Sequence, residues 1–164
     1  MQCALLLEEP TRAARVGEML ADRVRQHGPE SVLSPALGGL VIGHAVAAAL
    51  GVPFRFCERR GGAMELRRGF RLRSGERVAV IEDVITTGGS AGEAAALADA
   101  AGASPVVIGA IILRGAEHAL PVPAPGLQPI GLLRLELPSW EAESCPLCAD
   151  GTPLAAPGSR PSSE

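Results

Sequence analysis

The stretch ERVAVIEDVITTGGSAGEAAALADA, residues 76–100, decides the fold of this 164-residue chain. It begins with a continuous apolar run, which is typical of a strand buried on both faces of a parallel sheet. That strand ends on two acidic residues, Glu82 and Asp83. The alanine-rich run that follows predicts a helix with Ser90 as its N-cap and Glu93 completing a capping box.

The next segment, residues 104–115, is a second buried strand candidate that ends at Arg114. Strand, loop, helix and strand in this order predict a right-handed βαβ unit over residues 77–113. Hydrophobic spacing and Gly or Pro stop signals extend the pattern in both directions. They predict helices at about 11–27 and 41–51, strands at 31–35, 52–58 and 129–137, a loop or hairpin at 58–69, and a proline-rich connector at 121–126.

This pattern predicts an α/β fold with a mainly parallel central sheet flanked by helices. The length suits one domain, which we place at 1–144, followed by a tail at 145–164 that packs on the domain or trails from it. Hydrophobic residues make up 47% of the chain and aromatic residues only 2%, so the core must be aliphatic. Trp140 is the expected anchor of the tail.

Composition also excludes several classes of function. The net charge of −3 provides no basic field for nucleic acid, although arginines cluster at 55–77. No apolar run is long enough to span a membrane, and the first residues lack the pattern of a signal peptide. We therefore expect a cytoplasmic protein with neither nucleic-acid nor membrane partners.

The loop at residues 86–90, Thr-Thr-Gly-Gly-Ser, has the composition of a phosphate cradle. Its hydroxyls can donate hydrogen bonds, and its glycines let the backbone approach a ligand at the start of a helix. Glu82 and Asp83 would repel phosphate but can accept hydrogen bonds from sugar hydroxyls, so together they indicate a ribose 5-phosphate. No Lys follows Gly89, so the loop is not the phosphate loop that binds nucleoside triphosphates. The glycine spacing also does not fit a dinucleotide site. The alternative is an ordinary capped helix after a buried strand.

Three other features of the sequence each allow two interpretations. Residues 36–39, Ala-Leu-Gly-Gly, lie between a strand and a helix, where glycine amides could hold a diphosphate or simply allow close packing. Cys145 and Cys148 have metal-knuckle spacing, but a single pair is weak evidence for zinc, and packed or surface thiols are the simpler interpretation. His44 falls in an apolar helix, which favours a satisfied core residue over a ligand.

The segment EDVITTGGS, residues 82–90, resembles the phosphoribosyl pyrophosphate signature of type I phosphoribosyltransferases. This form of it is typical of the orotate phosphoribosyltransferases. Residues 34–59 resemble that family's pyrophosphate loop, helix and strand, and residues 64–78 resemble the segment that leads into the signature. Residues 145–160, CPLCADGTPLAAPGSR, resemble the carboxyl-terminal end of one bacterial branch.

The resemblance implies a magnesium-dependent transfer of ribose 5-phosphate from phosphoribosyl pyrophosphate to orotate, which yields orotidine 5′-phosphate and pyrophosphate in pyrimidine biosynthesis. It also implies a homodimer. Magnesium would be held by the diphosphate and sugar hydroxyls rather than by protein ligands. The site residues that it implies are Glu82, Asp83, Val84, Ile85, Thr86, Thr87, Gly88, Gly89 and Ser90 for phosphoribosyl pyrophosphate, Ala36, Leu37, Gly38 and Gly39 for the diphosphate, Thr86 and Arg114 for orotate, and Glu82, Asp83, Arg59 and Arg60 for catalysis.

Several alternatives stay open at this point. Arg114 can be a solvated charge at a strand end, and Arg59 and Arg60 can belong to a solvated basic loop. Relatives in the family carry a further segment before residue 2 that forms a hood over the base, so we expect a reduced or absent hood, or a chain that starts further upstream. The base can also differ from orotate, or the chain can bind phosphoribosyl pyrophosphate without turning it over.

Overall fold

The computed structural model describes residues 3–115, 127–138 and 140–153, and the connector predicted at 121–126 lies outside them. The helices are α1 (Ala4–Leu7), α2 (Pro10–Val24), α3 (Gly39–Leu50), α4 (Gly89–Ala100) and α5 (Pro146–Ala149), with short 3-10 turns at Arg25–His27 and Ala142–Ser144. The strands are β1 (Ser31–Pro35), β2 (Phe54–Arg60), β3 (Ala63–Leu66), β4 (Arg77–Ile85), β5 (Ser104–Arg114) and β6 (Ile130–Leu135).

The strands form one sheet in the order β3-β2-β1-β4-β5-β6. Every neighbouring pair is parallel except β2 and β3, which form an antiparallel hairpin at one edge. The predicted α/β fold with a mainly parallel sheet is therefore confirmed, and so is the hairpin at 58–69. Strand β4 lies at the centre, between β1 and β5.

Both faces of the sheet are covered, as the continuous apolar run in β4 predicted. Side chains alternate along the strand: Ala79 and Ile81 belong to the core under α2 and α3, whereas Val78 and Val80 belong to the core under α4. These β4 side chains are fully buried. The small residues of α4 allow it to lie close to the sheet, since Ala94, Ala95 and Ala98 are also fully buried.

The start of α4 differs from the prediction. Its N-cap is Gly88, whose φ of 76° lies in the left-handed region, and no side chain caps the helix. Ser90 is therefore the second helical residue, and the predicted capping box with Glu93 is wrong. A glycine adopts this backbone without steric cost, so the glycine pair moves the helix start ahead of the serine.

Two further side chains lie elsewhere than predicted. His44 is exposed on α3 and contacts the ring of Phe54 edge-on, because α3 buries only the side that faces the sheet. Trp140 is 46% exposed, so it is not a buried anchor for the tail. Among the described residues, no helix is both long and apolar enough to cross a membrane.

Candidate active site

Two turns and one arginine meet at the carboxyl edge of the sheet. The turn at 36–38 follows β1, the turn at 86–88 follows β4, and Arg114 is the last residue of β5. Because these strands are parallel neighbours with β4 in the middle, the segments lie side by side at one edge. Open α/β sheets bind ligands at this position.

The segment after β4 forms a small polar cavity. It has a volume of about 50 Å³ and is lined by Glu82, Val84, Ile85, Thr86, Thr87, Gly88, Gly89, Ser90 and Ala91. Thr86 and Thr87 are exposed at its rim. Because no side chain caps α4, the amides of its first turn remain available to a ligand. Amides at a helix start favour an anion, and phosphate is the anion that such a cavity suits.

The two carboxylates at the end of β4 differ in their surroundings. Glu82 is only 8% exposed, whereas Asp83 is partly buried. Burial, and then the adjacent charge of Asp83, raise the pKa of Glu82 to about 8. A nearby positive charge or additional hydrogen-bond donors would stabilise the ionised form of Glu82.

Asp83 is held by two backbone amides, one from the next residue and one from the far amino-terminal end of the described chain. Its Oδ1 accepts a hydrogen bond from the Val84 amide at 2.8 Å, and its Oδ2 accepts one from the Cys3 amide at 3.3 Å. The turn that begins α1 therefore orients this carboxylate. Sequence reasoning missed the role of Cys3, because a backbone amide leaves no signature in residue type.

The segment 36–39 packs directly against the two carboxylates. A Cβ atom on Gly38 would lie 2.6 Å from Asp83 Oδ1, and one on Gly39 would lie 2.9 Å from the Ile81 carbonyl oxygen and 3.3 Å from Glu82 Oε1. Only glycine permits such approaches. The segment exposes Leu37, and its Ala36–Leu37 peptide is cis. The structure thus brings residues 36–39 together with Glu82 and Asp83.

Arg114 lies on the other side of β4. Leu113 of β5 is the register partner of Ile85, so Arg114 is level with the point where the chain leaves β4 for Thr86. Its side chain is partly buried. The structure therefore places a guanidinium-bearing residue beside the cradle, on the side opposite residues 36–39.

The hairpin arginines lie apart from this centre. Arg59 forms an ion pair with Glu93 of α4 at 2.5 Å and donates to the Gly62 carbonyl oxygen at 2.6 Å. Arg60 is exposed at the end of β2, opposite Ala63. Arg59 is thus tied to the helix whose first turn forms the cradle, and Arg60 lies at the tip of the hairpin.

Within residues 3–115, 127–138 and 140–153, no group of three or more His, Cys, Asp or Glu side chains is arranged to hold a metal ion. The carboxylates of Glu82 and Asp83 nevertheless offer the oxygen donors that magnesium prefers. Such a pair suits an ion that arrives with its own ligands on a substrate.

Comparison of the sequence with known proteins gives matches along nearly its whole length. The chain is 45% identical to the orotate phosphoribosyltransferase of Thermotoga petrophila over 161 residues, which cover 98% of this chain and 83% of that protein. It is 41% identical to the orotate phosphoribosyltransferase of Chlorobium phaeobacteroides, over 97% of this chain and 80% of that protein. No protein-family model matches the chain.

Solved structures share the fold at low sequence identity. Adenine phosphoribosyltransferase from Thermoanaerobacter pseudethanolicus superposes with a TM-score of 0.68 at 21% identity, over 79% of this chain and 84% of that one. Orotate phosphoribosyltransferase from Aeropyrum pernix gives a TM-score of 0.67 at 20% identity, over 79% of this chain and 75% of that one. The shared architecture extends across enzymes named for different bases, so the superpositions speak for the fold alone.

Proposed function

The chain belongs to the orotate phosphoribosyltransferases, and we propose that it transfers ribose 5-phosphate from phosphoribosyl pyrophosphate to orotate at the carboxyl edge of its sheet. The products are orotidine 5′-phosphate and pyrophosphate, in pyrimidine biosynthesis. One observation carries the assignment of the site: the uncapped start of α4 forms a small polar cavity next to two carboxylates that pack on a glycine turn.

In this proposal the 5-phosphate binds in the cradle of residues 86–90. The free amides of the first turn of α4 donate to the phosphate oxygens, and the hydroxyls of Thr86, Thr87 and Ser90 add further donors. Val84 and Ile85 belong to the same binding segment, because both line the cavity. Gly88 and Gly89 keep side chains away from the phosphate.

Glu82 and Asp83 accept hydrogen bonds from the ribose hydroxyls. As the bond from the sugar to the diphosphate breaks, positive charge develops on the ribose ring, and carboxylates fixed nearby stabilise that charge. Asp83 is already oriented by the amides of Val84 and Cys3. The protein forms no covalent bond to the sugar and acts by positioning and electrostatics.

The diphosphate lies along residues 36–39, on the side of the carboxylates that faces β1. The diphosphate would contact backbone groups of Ala36, Leu37, Gly38 and Gly39. Because Gly38 and Gly39 have no side chains, an anion can approach their backbone closely. Magnesium would arrive with the diphosphate and the sugar hydroxyls as its ligands, and Asp83 and Glu82 would offer it carboxylate oxygens. When bound, it neutralises charge on the leaving diphosphate.

Orotate lies between Thr86 and Arg114. A guanidinium can bind a carboxylate through two parallel hydrogen bonds, and orotate carries a carboxylate that uracil and purine bases lack. Arg114 lies beside the end of β4, next to the point where Thr86 follows the strand, and this position supports the role. We therefore assign recognition of the base to Arg114 and contact with both substrates to Thr86.

The experiment that tests this function follows orotate consumption and pyrophosphate release by the purified chain with phosphoribosyl pyrophosphate and magnesium. We expect turnover with orotate and none with adenine, hypoxanthine or uracil. Arg114→Leu should raise the KM for orotate by about 100-fold, the cost of losing a bidentate charged contact, and should leave binding of phosphoribosyl pyrophosphate unchanged.

Turnover with a purine base in place of orotate would show that the chain serves another base. Calorimetric binding of phosphoribosyl pyrophosphate with no turnover on any base would instead identify a regulator that binds it without catalysis. Each outcome contradicts the proposed reaction in a different way.

Arg59 and Arg60 act on the leaving diphosphate when the hairpin moves towards the site. Arg59 must first release Glu93, to which it is bound in the unliganded protein. We expect Arg59→Gln to lower kcat by about 10- to 100-fold, the range for loss of one charge-stabilising contact, with little change in the unfolding midpoint, because the pair is solvent-exposed. Glu93→Gln is the matched control, since it breaks the same ion pair but leaves Arg59 in place.

A loss of kcat of equal size in both variants would mean that the ion pair itself, rather than a mobile Arg59, supports the reaction. Steady-state kinetics with saturating orotate separates the two cases. Thermal unfolding of both variants checks that the hairpin still packs.

We also propose that the chain works as a homodimer. An apolar groove of about 550 Å³ runs between α2 and α3 and is lined by residues such as Leu7, Ala14, Val41 and Ala48. Val41 is 48% exposed and Met19 of α2 is 47% exposed, which leaves a large apolar surface for a second copy to cover. Light scattering of the purified chain measures its mass in solution, and an active monomer would contradict this assignment.

A further inference from the structure

The four cysteines fall into two chemically different pairs. Cys3 and Cys57 are buried, and burial raises the pKa of the Cys3 thiol to about 11 and that of the Cys57 thiol to about 12. Such thiols are poor nucleophiles at neutral pH and are shielded from solvent. Cys145 is partly exposed and Cys148 is fully exposed.

Cys145 and Cys148 occupy one tightly hydrogen-bonded turn. The Cys148 amide donates to Cys145 Sγ at 3.4 Å, and the Ala149 amide donates to the Cys145 carbonyl oxygen at 3.1 Å. The turn closes through the Thr152 amide, which donates to the Leu147 carbonyl oxygen at 2.9 Å. The turn therefore holds Cys145 Sγ against the backbone of Cys148 before any reaction takes place.

We propose that Cys145 and Cys148 form a reversible dithiol–disulfide site that exchanges with low-molecular-weight disulfides. The proposal is independent of the transferase reaction and uses none of its residues. Cys145 is the attacking thiol and Cys148 the resolving thiol. The pairing is local, so it needs no movement of the domain.

The electrostatics of the turn support that order. The hydrogen bond from the Cys148 amide lowers the pKa of Cys145, and the contact with Cys145 raises the pKa of Cys148. A thiolate rather than a thiol attacks a disulfide, so the group with the lower pKa reacts first. The other thiol stays protonated until it is needed for resolution.

The exchange balances without any further reactant. The Cys145 thiolate attacks one sulfur of the small disulfide, the S–S bond breaks, and one thiolate leaves with the bonding electrons. Cys148 then attacks Cys145 Sγ in the mixed disulfide and expels the second thiolate. Two protons pass from the cysteines to the two released thiolates. The dithiol loses two electrons, and the small disulfide gains them.

A soft metal ion is the competing occupant of a Cys-x-x-Cys turn. Structural zinc usually takes four ligands, and among the described residues no third His, Cys, Asp or Glu is arranged with this pair to hold a metal ion. Two thiolates alone leave half of the coordination sphere open. The geometry therefore favours disulfide exchange over a metal centre.

The test uses the reduced full-length chain in buffers with varied ratios of reduced to oxidised glutathione. Samples are quenched with acid, remaining thiols are alkylated, and the peptide that contains residues 145–148 is weighed by mass spectrometry. We expect the internal disulfide to form progressively as the share of oxidised glutathione rises, with no lasting glutathione adduct. Cys3 and Cys57 serve as internal controls and should be alkylated only after unfolding.

Two variants separate the roles of the thiols. Cys148→Ser should trap a glutathione adduct on Cys145, and Cys145→Ser should react at least about tenfold more slowly than Cys148→Ser. Because the turn contacts solvent, the unfolding midpoint of both variants should match that of the parent chain. Equal rates in the two variants would overturn the assigned order, and a lasting adduct in the parent chain would overturn the exchange. So would tight zinc binding by the reduced chain that blocks oxidation.

Discussion

Replacing Glu82 with Gln is expected to lower kcat/KM by about 100-fold, the effect of removing one preorganised electrostatic contact in an active site. The carboxylate lines the phosphate cavity and packs against the glycine turn at 36–39. Gln keeps the shape of Glu but removes the negative charge that stabilises a positively charged ribose. Steady-state kinetics with orotate and phosphoribosyl pyrophosphate measures the loss.

The same substitution is expected to stabilise the unliganded protein at pH 8. The pKa of Glu82 is raised from 4.5 to about 8, so the folded state binds its proton more tightly than the unfolded state does. Below about pH 4.5 Glu82 is protonated in both states and does not lower the free energy of unfolding. As pH rises from 4.5 to about 8, the side chain ionises more readily in the unfolded state, and the parent chain loses stability. The whole pKa shift corresponds to a gain in the free energy of unfolding of at most roughly 5 kcal/mol. The buried amide of Gln has unmet hydrogen bonds that remove part of this gain, so we expect a net gain of about 2 kcal/mol.

Urea unfolding of both proteins between pH 5 and pH 8 measures this gain. The difference in unfolding free energy should be small at pH 5 and should grow steadily towards pH 8. Asp99→Asn on the exposed side of α4 is the control, since it removes one carboxylate without a buried site and should change neither kinetics nor this pH dependence. An unchanged kcat/KM for Glu82→Gln would remove Glu82 from the catalytic machinery.

The opposed effects on activity and stability express one physical property of the site. Two adjacent carboxylates, one of them buried, repel each other in the empty protein and gain when positive charge appears beside them. A site that is unfavourable when empty and favourable in the transition state lowers the barrier more than it strengthens substrate binding. Natural active sites commonly carry this conflict between stability and function.

The sequence predicted the sheet well, because the signals for its strands and helices are local. The apolar run of β4, the alanines of α4 and the glycine pair between them each report on their own backbone. The start of α4 was placed wrongly, because Gly88 and Ser90 both suit a helix start and only the positive φ of Gly88 decides between them.

Contacts between distant segments could not be predicted in the same way. The amide of Cys3 reaches Asp83 across 80 positions of the chain, and any residue type except proline carries that amide. His44 was misplaced for a related reason: α3 is apolar on all sides, and only its packing against the sheet determines which side is buried. The residue composition of one helix or strand does not predict which neighbouring elements pack against it.

Glu76 shows the same limit and carries the second large expected effect. It directly precedes β4, at the end of the polar stretch RLRSGE (residues 71–76), yet it is only 2% exposed in the folded chain. Arg55 of β2 donates to its Oε1 at 2.7 Å, and the Arg73 amide donates to its Oε2 at 2.8 Å. This carboxylate therefore ties β2 to the loop that precedes β4.

Replacing Glu76 with Gln is expected to lower the free energy of unfolding at pH 7 by about 3 kcal/mol, the lower end of the cost of breaking a buried ion pair. Burial alone would raise the pKa of Glu76, but the Ser31 hydroxyl, the Arg73 amide and the Arg55 guanidinium, in that order, outweigh it, and the pKa falls to about 2. Glu18→Gln is the matched control, because Glu18 pairs with Arg15 at 3.1 Å on the exposed side of α2 and should change stability by less than about 0.5 kcal/mol.

The pH dependence of this effect has the opposite sign to that of Glu82. A carboxylate whose pKa is lowered on folding contributes its full stabilisation above about pH 4.5 and loses it as pH falls towards 2. The difference between the parent chain and Glu76→Gln should therefore be constant from pH 7 to pH 5 and shrink below that. Urea unfolding across this range, combined with Arg55→Gln alone and with both changes together, isolates the pair. If the two substitutions are additive, Arg55 and Glu76 do not stabilise each other, and the low pKa has its origin in the Ser31 hydroxyl and the Arg73 amide.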